Sequence, residues 1–166
     1  MARVYVSVGS NVDRDRNIAM ALRLLEASFG PLLRSSVYES EAVGFDSAPF
    51  YNLVAGFNTG ETPREIQNVL HRIEAASGRI RTTGLSARTL DLDLLLYDDL
   101  VTEADGMSLP RKDITRYAFV LAPLAEIAPD VRPRADGPSI AQMLTALPRA
   151  EAVERIEHPG WPPPLG

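Results

Sequence analysis

The chain has 166 residues, 45% of them hydrophobic and 23% charged, with a formal net charge of −5. These proportions describe one globular domain able to bury a core. They exclude a disordered chain and a general nucleic-acid binder, which needs a basic face to displace counterions.

With no cysteine and only two histidines, His71 and His158, disulfides and thiolate metal sites are out, and any metal should be a hard ion held by carboxylate oxygens. Met1 to Ser10 lacks the apolar core of a signal peptide. No stretch approaches the roughly 20 apolar residues of a membrane helix, so a soluble cytoplasmic protein is expected.

In chain order, Arg3 to Val8 alternates, Val4, Val6 and Val8 against Tyr5 and Ser7, which predicts a strand. Gly9-Ser10-Asn11 reads as the turn after it. Ile18, Leu22, Leu25 and Phe29 recur at helical spacing, and Gly30-Pro31 ends that helix. Leu33 to Glu41 reads as a second strand, Gly44 to Pro49 as a loop, and Phe50 to Thr59 as a third strand. Thr62-Pro63-Arg64-Glu65 is a capping box with proline at the first helical position. Its helix carries Ile66, Leu70 and Ile73 on one face and closes at Gly78.

A loop from Arg79 to Ala87 leads into a fourth strand, Thr89 to Tyr97. Asp113 is expected to cap a helix that includes Phe119 and ends before Pro123. Ser139 to Leu147 reads as a weaker helix. The order strand-helix-strand, strand-helix-strand predicts an α+β fold: a ferredoxin-like split βαβ core, an antiparallel sheet with helices packed on one face, and a C-terminal extension. Residues 1–158 form the single expected domain, and 159–166 a loose proline-rich tail.

The strongest chemical signal lies around the fourth strand. Gly78 to Leu90 holds Arg79, Arg81 and Arg88 and no acid, in a chain with Lys112 as its only lysine. Asp91 and Asp93 follow. Residues two apart on a strand share a face, so Leu90, Leu92, Leu94 and Leu96 should point into a core and Thr89, Asp91 and Asp93 away from it. The two aspartates lie about 7 Å apart along the strand. They could converge on one magnesium or bridge two, because magnesium takes few carboxylates and completes its shell with water and substrate phosphate. Planar guanidinium groups beside them could neutralise a phosphate chain. Phosphoryl-type transfer needs metal, cations and alignment of the attacking oxygen.

Gly78-Arg79-Ile80-Arg81, with Ala87-Arg88-Thr89-Leu90-Asp91-Leu92-Asp93 after it, resembles the signature of the hydroxymethyldihydropterin pyrophosphokinase family. The likeness extends to Val8-Gly9-Ser10-Asn11, to Tyr38-Glu39-Ser40-Glu41 with Val43-Gly44 and Phe50-Tyr51-Asn52, and to Leu109-Pro110 through Pro129. The resemblance implies transfer of diphosphate from ATP to the hydroxymethyl group of a reduced pterin in folate biosynthesis, by a monomeric enzyme acting on small molecules.

It also implies roles. Asp91 and Asp93 would hold two magnesium ions, and Asp93, Arg79 and Arg88 would act in catalysis. Arg79, Arg81 and Arg88, with Glu74 and His71, would face ATP. Phe50 and Phe119 would sandwich the pterin ring, Asn52 would bond its amide-like edge, and Ser40 and Val43 would line its pocket, largely through backbone groups. Read alone, Phe50 and Phe119 are core residues, Asn52 a strand-edge residue, and Glu74 and His71 helix-surface residues.

The chain departs from the family pattern at Ala87, where proline is usual, at Arg111, where histidine is usual, and at Tyr117, where arginine is usual. A metal-dependent glycosyltransferase using the Asp-x-Asp pair would require a larger nucleotide-sugar domain. A ligand-binding regulatory module would not need arginines clustered beside paired acids.

Overall fold

The computed structural model describes residues 1–40, 49–77, 90–147 and 153–156. Val43, Arg79, Arg81 and Arg88 lie outside the described residues, as do the expected loop over 79–87, most of the one over 44–49, and the tail.

The first strand, β1, runs Ala2–Ser10 and is followed by α1, Arg14–Phe29. The alternation in β1 is filled on both sides: Val4, Val6 and Val8 enter one core and Tyr5 another. Gly9 and Ser10 are not the expected turn. They continue the ladder, opposite Asn52 and Tyr51, and the chain turns only at Asn11. Pairing with a strand on each side satisfies the Gly9 backbone groups and extends the strand. Gly30 stops α1 at a positive φ of 86°, a conformation glycine adopts without steric cost.

The second predicted strand divides into β2 (Leu33–Arg34) and β3 (Val37–Ser40). The break is chemical. The Ser35 hydroxyl accepts the Val54 N–H at 2.9 Å and donates to the Ser36 carbonyl at 2.7 Å, so a side chain takes a ladder position. Strand β4 spans Phe50–Thr59, as its composition predicts. Helix α2, Pro63–Ala76, opens on the predicted capping box and buries Ile66, Val69, Leu70 and Ile73.

Strand β5, Asp91–Tyr97, has a register shift opposite Tyr5 and Val6. Leu92 and Leu94 lie in the core beneath α1 and α2, but Leu95 and Leu96 lie in the core on the other face. The expectation that Leu96 shares the side of Leu92 is therefore corrected, because an extra residue in a bulge resets the alternation.

The single helix expected from Asp113 is two: α3, Asp113–Arg116, and α4, Ala118–Ile127. Lys112, not Asp113, holds the cap position, and the Asp113 carboxylate pairs with Arg111 instead. Tyr117 is extended between the helices, and its carbonyl accepts from Val120 and Leu121 at 3.1 and 3.0 Å, which starts α4. Pro123 sits inside α4 rather than ending it. Burial of Val120, Leu121 and Leu124 in the core outweighs the bond that proline forfeits. Helix α5, Ile140–Ala146, has a second capping box, Ser139 with Gln142, and β6, Val153–Ile156, closes the described chain.

The sheet order is β5-β1-β4-β3-β6, with β2 also on β4, and all pairings are antiparallel. The split βαβ core is as predicted, with α1 and α2 over one face. The opposite face is covered too, by α4 and α5, around Tyr5, Val54 and Leu95. The extension therefore adds a second core.

Candidate active site

Cross-strand partners stand on the same face of a sheet. Asp91 pairs with Gly9, Gly9 with Asn52, and Asn52 with Tyr38. One row thus runs Asp91, Gly9, Asn52, Tyr38 across four strands. The adjacent row holds Asp93, Ser7 and Val54, and Phe50 stands opposite Ser40 on the same face. Two strand spacings separate Asp91 from Asn52, about 10 Å between Cα atoms. Helices α4 and α5 cover the Tyr5–Val54–Leu95 end of this face. The Asp91–Asn52 end carries Asp91, Asp93 and Asn52, and the far end of the same face carries Arg3 and Asn58.

Gly9 is the floor between them. A Cβ there would stand 2.9 Å from the Asn52 Oδ1 and 3.8 Å from the Phe50 ring. Asn52 is buried, and its Nδ2 donates to the buried Ser40 hydroxyl at 2.8 Å. The Ser40 side chain is thus engaged with Asn52. The carboxamide of Asn52 is held in place before any ligand arrives, which is the requirement for reading a flat amide-like edge. Phe119, half-buried on α4, stacks on Tyr117 with ring centroids 4.9 Å apart and planes at 22°. Its neighbours belong to the second core.

On the other side of the aspartates, a cavity of about 450 Å³ lies between α2 and the segment 106–111. His71, Glu74, Asp91, Asp93 and Arg111 line it, with Ser108. Glu74 also holds the neighbouring strand, since its Oε2 accepts the Leu92 N–H at 2.9 Å. The outer backbone of edge strand β5 is met by helix α2 here and by the Arg111 N–H on the Leu95 carbonyl at 3.0 Å. This edge is covered and aspartate-bearing, and the cavity opens along it.

His71 is exposed and reaches the cavity rim. Asp91 and Asp93 are half-buried, and Arg111 Nη2 lies 3.3 Å from Asp93 Oδ1. No group of three or more potential metal ligands occurs among the described residues. Two carboxylates beside a cavity of this size still suit magnesium, which draws the rest of its shell from water and phosphate.

The structure brings Asp91, Asp93, Glu74 and His71 together around one cavity, and Ser40, Phe50 and Asn52 on one sheet face that the aspartates share. Four contributors do not stand out in the sequence: Gly9, Arg14, Arg111 and Glu126. Gly9 reads there as a turn residue, and only its strand neighbours reveal that a side chain would strike Asn52. Arg111 reads there as a departure from a family pattern.

Arg14 carries no motif. It donates to Glu39 and to the Pro49 carbonyl, each at 3.0 Å, and lies 3.7 Å over the Tyr51 ring. It therefore ties α1 to the end of β3 and the start of β4. Glu126 of α4 accepts the Ser36 N–H at 2.8 Å, the Ser36 hydroxyl at 2.6 Å and the Tyr38 hydroxyl at 3.3 Å. Burial first, and the Glu126 carboxylate second, push the Tyr38 phenol above its usual range, so it stays a neutral donor.

The sequence profile described as 7,8-dihydro-6-hydroxymethylpterin-pyrophosphokinase matches residues 5–129. A 2-amino-4-hydroxy-6-hydroxymethyldihydropteridine pyrophosphokinase of Pseudomonas aeruginosa is 37% identical over 160 residues, 93% of this chain and 96% of that one. The protein of the same description from Bacillus subtilis is 36% identical over 135 residues, 79% and 81% of the two chains.

Among solved structures, wild-type Plasmodium falciparum HPPK-DHPS superimposes with a TM-score of 0.66 at 14% identity, and an HPPK-DHPS in complex with substrates with 0.69 at 12%. Each match covers 87% of this chain, which spans 44% and 43% of those larger chains, and at such identity the likeness speaks for the fold. With the profile spanning both the aspartate pair and the Phe50–Asn52 strand, the chain belongs to the 7,8-dihydro-6-hydroxymethylpterin-pyrophosphokinase family.

Proposed function

We propose that the protein transfers the terminal diphosphate of ATP to the hydroxymethyl group of 6-hydroxymethyl-7,8-dihydropterin, giving AMP and the pterin diphosphate. One observation carries the site assignment: Asp91 and Asn52 stand in a single cross-strand row with glycine between them. A flat heterocycle held at Asn52 can place a short hydroxymethyl arm toward phosphates held at Asp91 and Asp93. The cavity beside the aspartates gives the nucleotide its own place, on the opposite side of the acids from the pterin.

Phe50 and Phe119 are assigned to the two faces of the ring, Asn52 to its amide-like edge, and Ser40 and Val43 to the pocket wall. Ser40 acts chiefly by fixing Asn52. His71 and Glu74 line the nucleotide cavity, and Glu74 also holds the backbone of the aspartate strand in position. Arg79 and Arg88 are assigned to the transferred group and Arg81 to the same nucleotide surface, on the strength of their positions in the sequence.

Asp91 and Asp93 would hold magnesium, two ions in this reading, and when bound the metal supplies charge neutralisation on the phosphate chain. The protein itself then aligns the attacking hydroxyl oxygen with the bond from the β phosphorus to the α–β bridging oxygen, which breaks as AMP leaves. We assign residues 1–158 to a single domain and expect a cytoplasmic monomer. No helix among the described residues is long and apolar enough to cross a membrane.

Chromatography of the products from ATP, magnesium and the hydroxymethyl pterin tests the reaction. AMP with pterin diphosphate is expected, and ADP as the only nucleotide product would refute it.

A further inference from the structure

Among the described residues lining the cavity, Arg111 is the one cation paired to an aspartate of the Asp-x-Asp motif. Its Nη2 is 3.3 Å from Asp93 Oδ1, and its Nε is 3.3 Å from Asp113 Oδ2. Its backbone N–H is fixed on the Leu95 carbonyl at 3.0 Å. The Cα is therefore anchored to the edge of β5, and only the side chain can redistribute. Asp113 opens α3 and holds the near end of the guanidinium, which leaves the far end, Nη2, on the aspartate.

We propose, on the reading of the cavity as the nucleotide site, that Arg111 exchanges partners on loading: it neutralises Asp93 in the metal-free protein and moves its far end onto a nucleotide phosphate when a divalent cation takes the carboxylate. A guanidinium and a divalent cation compete for the same carboxylate oxygen. Magnesium binds at roughly 2.0–2.1 Å and repels a second positive charge held there. A polyphosphate offers that charge a better partner, since planar guanidinium forks match phosphate oxygens. Asp113 keeps the side chain within reach throughout, as a pivot.

The consequence is that metal and nucleotide load together. The metal alone must displace the Arg111 far end from Asp93 with no phosphate to receive it. The metal with its nucleotide gives the arginine a new partner. The Asp93 pair is about one-third exposed on both sides, with 37% of each side chain accessible. Its grip on the carboxylate is therefore modest, about two- to fivefold in affinity. The phosphate contact is charge-assisted and can be bidentate, so its loss should cost more, about tenfold.

The test is calorimetric, on the full chain, and needs no turnover. Wild type and Arg111→Gln are titrated with magnesium chloride alone. They are then titrated with an ATP analogue carrying a methylene bridge between the α and β phosphates, at saturating magnesium. Arg111→Gln should bind magnesium alone about two- to fivefold more tightly and the magnesium–analogue complex about tenfold more weakly. Opposite signs are the signature, because a variant that merely loosened the site would weaken both. Asp113→Asn provides a second reading: the pivot is lost, Arg111 rests on Asp93 alone, and magnesium alone should bind more weakly than to wild type.

Affinities that move in the same direction in Arg111→Gln, or do not move, overturn the exchange while leaving the nucleotide site standing. A wild type that binds no magnesium–analogue complex overturns the site reading itself, and the exchange with it.

Discussion

Asp91 and Asp93 are set apart among the described acids by sharing a sheet face with Asn52. They open onto a cavity, yet remain half-exposed on the polar side of β5. Replacing either with alanine should cost about a thousandfold in turnover, since in the proposed reaction each would hold the metal that neutralises the phosphate chain, worth several kcal/mol. Circular dichroism and the melting temperature should stay close to wild type, and a variant at Asp93 with near-normal turnover would contradict its role.

Gly9→Ala offers a finer probe. The backbone there is ordinary strand, but the new methyl would stand 2.9 Å from the Asn52 Oδ1, and Asn52 is already held by Ser40 at 2.8 Å. The carboxamide must turn away from its partner. Pterin affinity should fall about two- to tenfold, the worth of one hydrogen bond, with nucleotide affinity unchanged in parallel titrations. Phe119→Ala should act in the same sense, and unchanged pterin affinity there would make the stack with Tyr117 a purely core contact.

Among the elements, α2 shows how local chemistry holds a functional wall. The Thr62 hydroxyl accepts the Glu65 N–H at 3.2 Å, and the Glu65 carboxylate accepts the Thr62 N–H at 2.9 Å. The Thr62 backbone N–H first, and the Thr62 hydroxyl second, hold the Glu65 carboxyl below its ordinary 4.5. A depressed carboxyl pKa means the stabilisation is present above the ordinary value and is lost as pH falls through the lowered one. Thr62→Ala should cost about 1 kcal/mol of unfolding free energy at neutral pH but keep most of the loss of stability on acidification, because the backbone N–H that chiefly lowers the Glu65 carboxyl survives the substitution. Denaturant titrations at a series of pH values measure both. The helix end far from this cap carries Glu74 onto the Leu92 N–H, so a frayed α2 would also loosen the strand that bears the aspartates.

Over the whole molecule, the sheet is a partition with a core on each side. Helices α1 and α2 fill one face, and α4 and α5 fill the Tyr5–Val54–Leu95 part of the other, beside the row that carries Asp91, Gly9 and Asn52. Glu126 governs how α4 sits there, since its carboxylate gathers the Ser36 N–H, the Ser36 hydroxyl and the Tyr38 hydroxyl from β3 and the segment before it. These bonds link the helix that carries Phe119 to the strand that carries Ser40. Glu126→Ala should lower stability by about 1–2 kcal/mol and raise the KM for pterin more than that for ATP. Equal increases in both would make the link a matter of general stability.

The sequence by itself determined the split βαβ order and the principal strands and helices of the core. Valines at period two, apolar residues at helical spacing, the Thr62 capping box and Gly30 each act over a few residues, and a few residues suffice to set a backbone. Asp91 and Asp93 were legible for the same reason, because their spacing on one strand already places two carboxylates on one side. Tertiary structure alone decided the rest. The bulge that moves Leu96 to the second core depends on the register with β1, which no local pattern encodes. Pro123 stays within α4 because the burial around it is long-range. Gly9 becomes a floor, and Arg14, Arg111 and Glu126 become ties, only when strands and helices distant in sequence come within hydrogen-bonding reach. Such contacts depend on which elements become neighbours, and packing settles that.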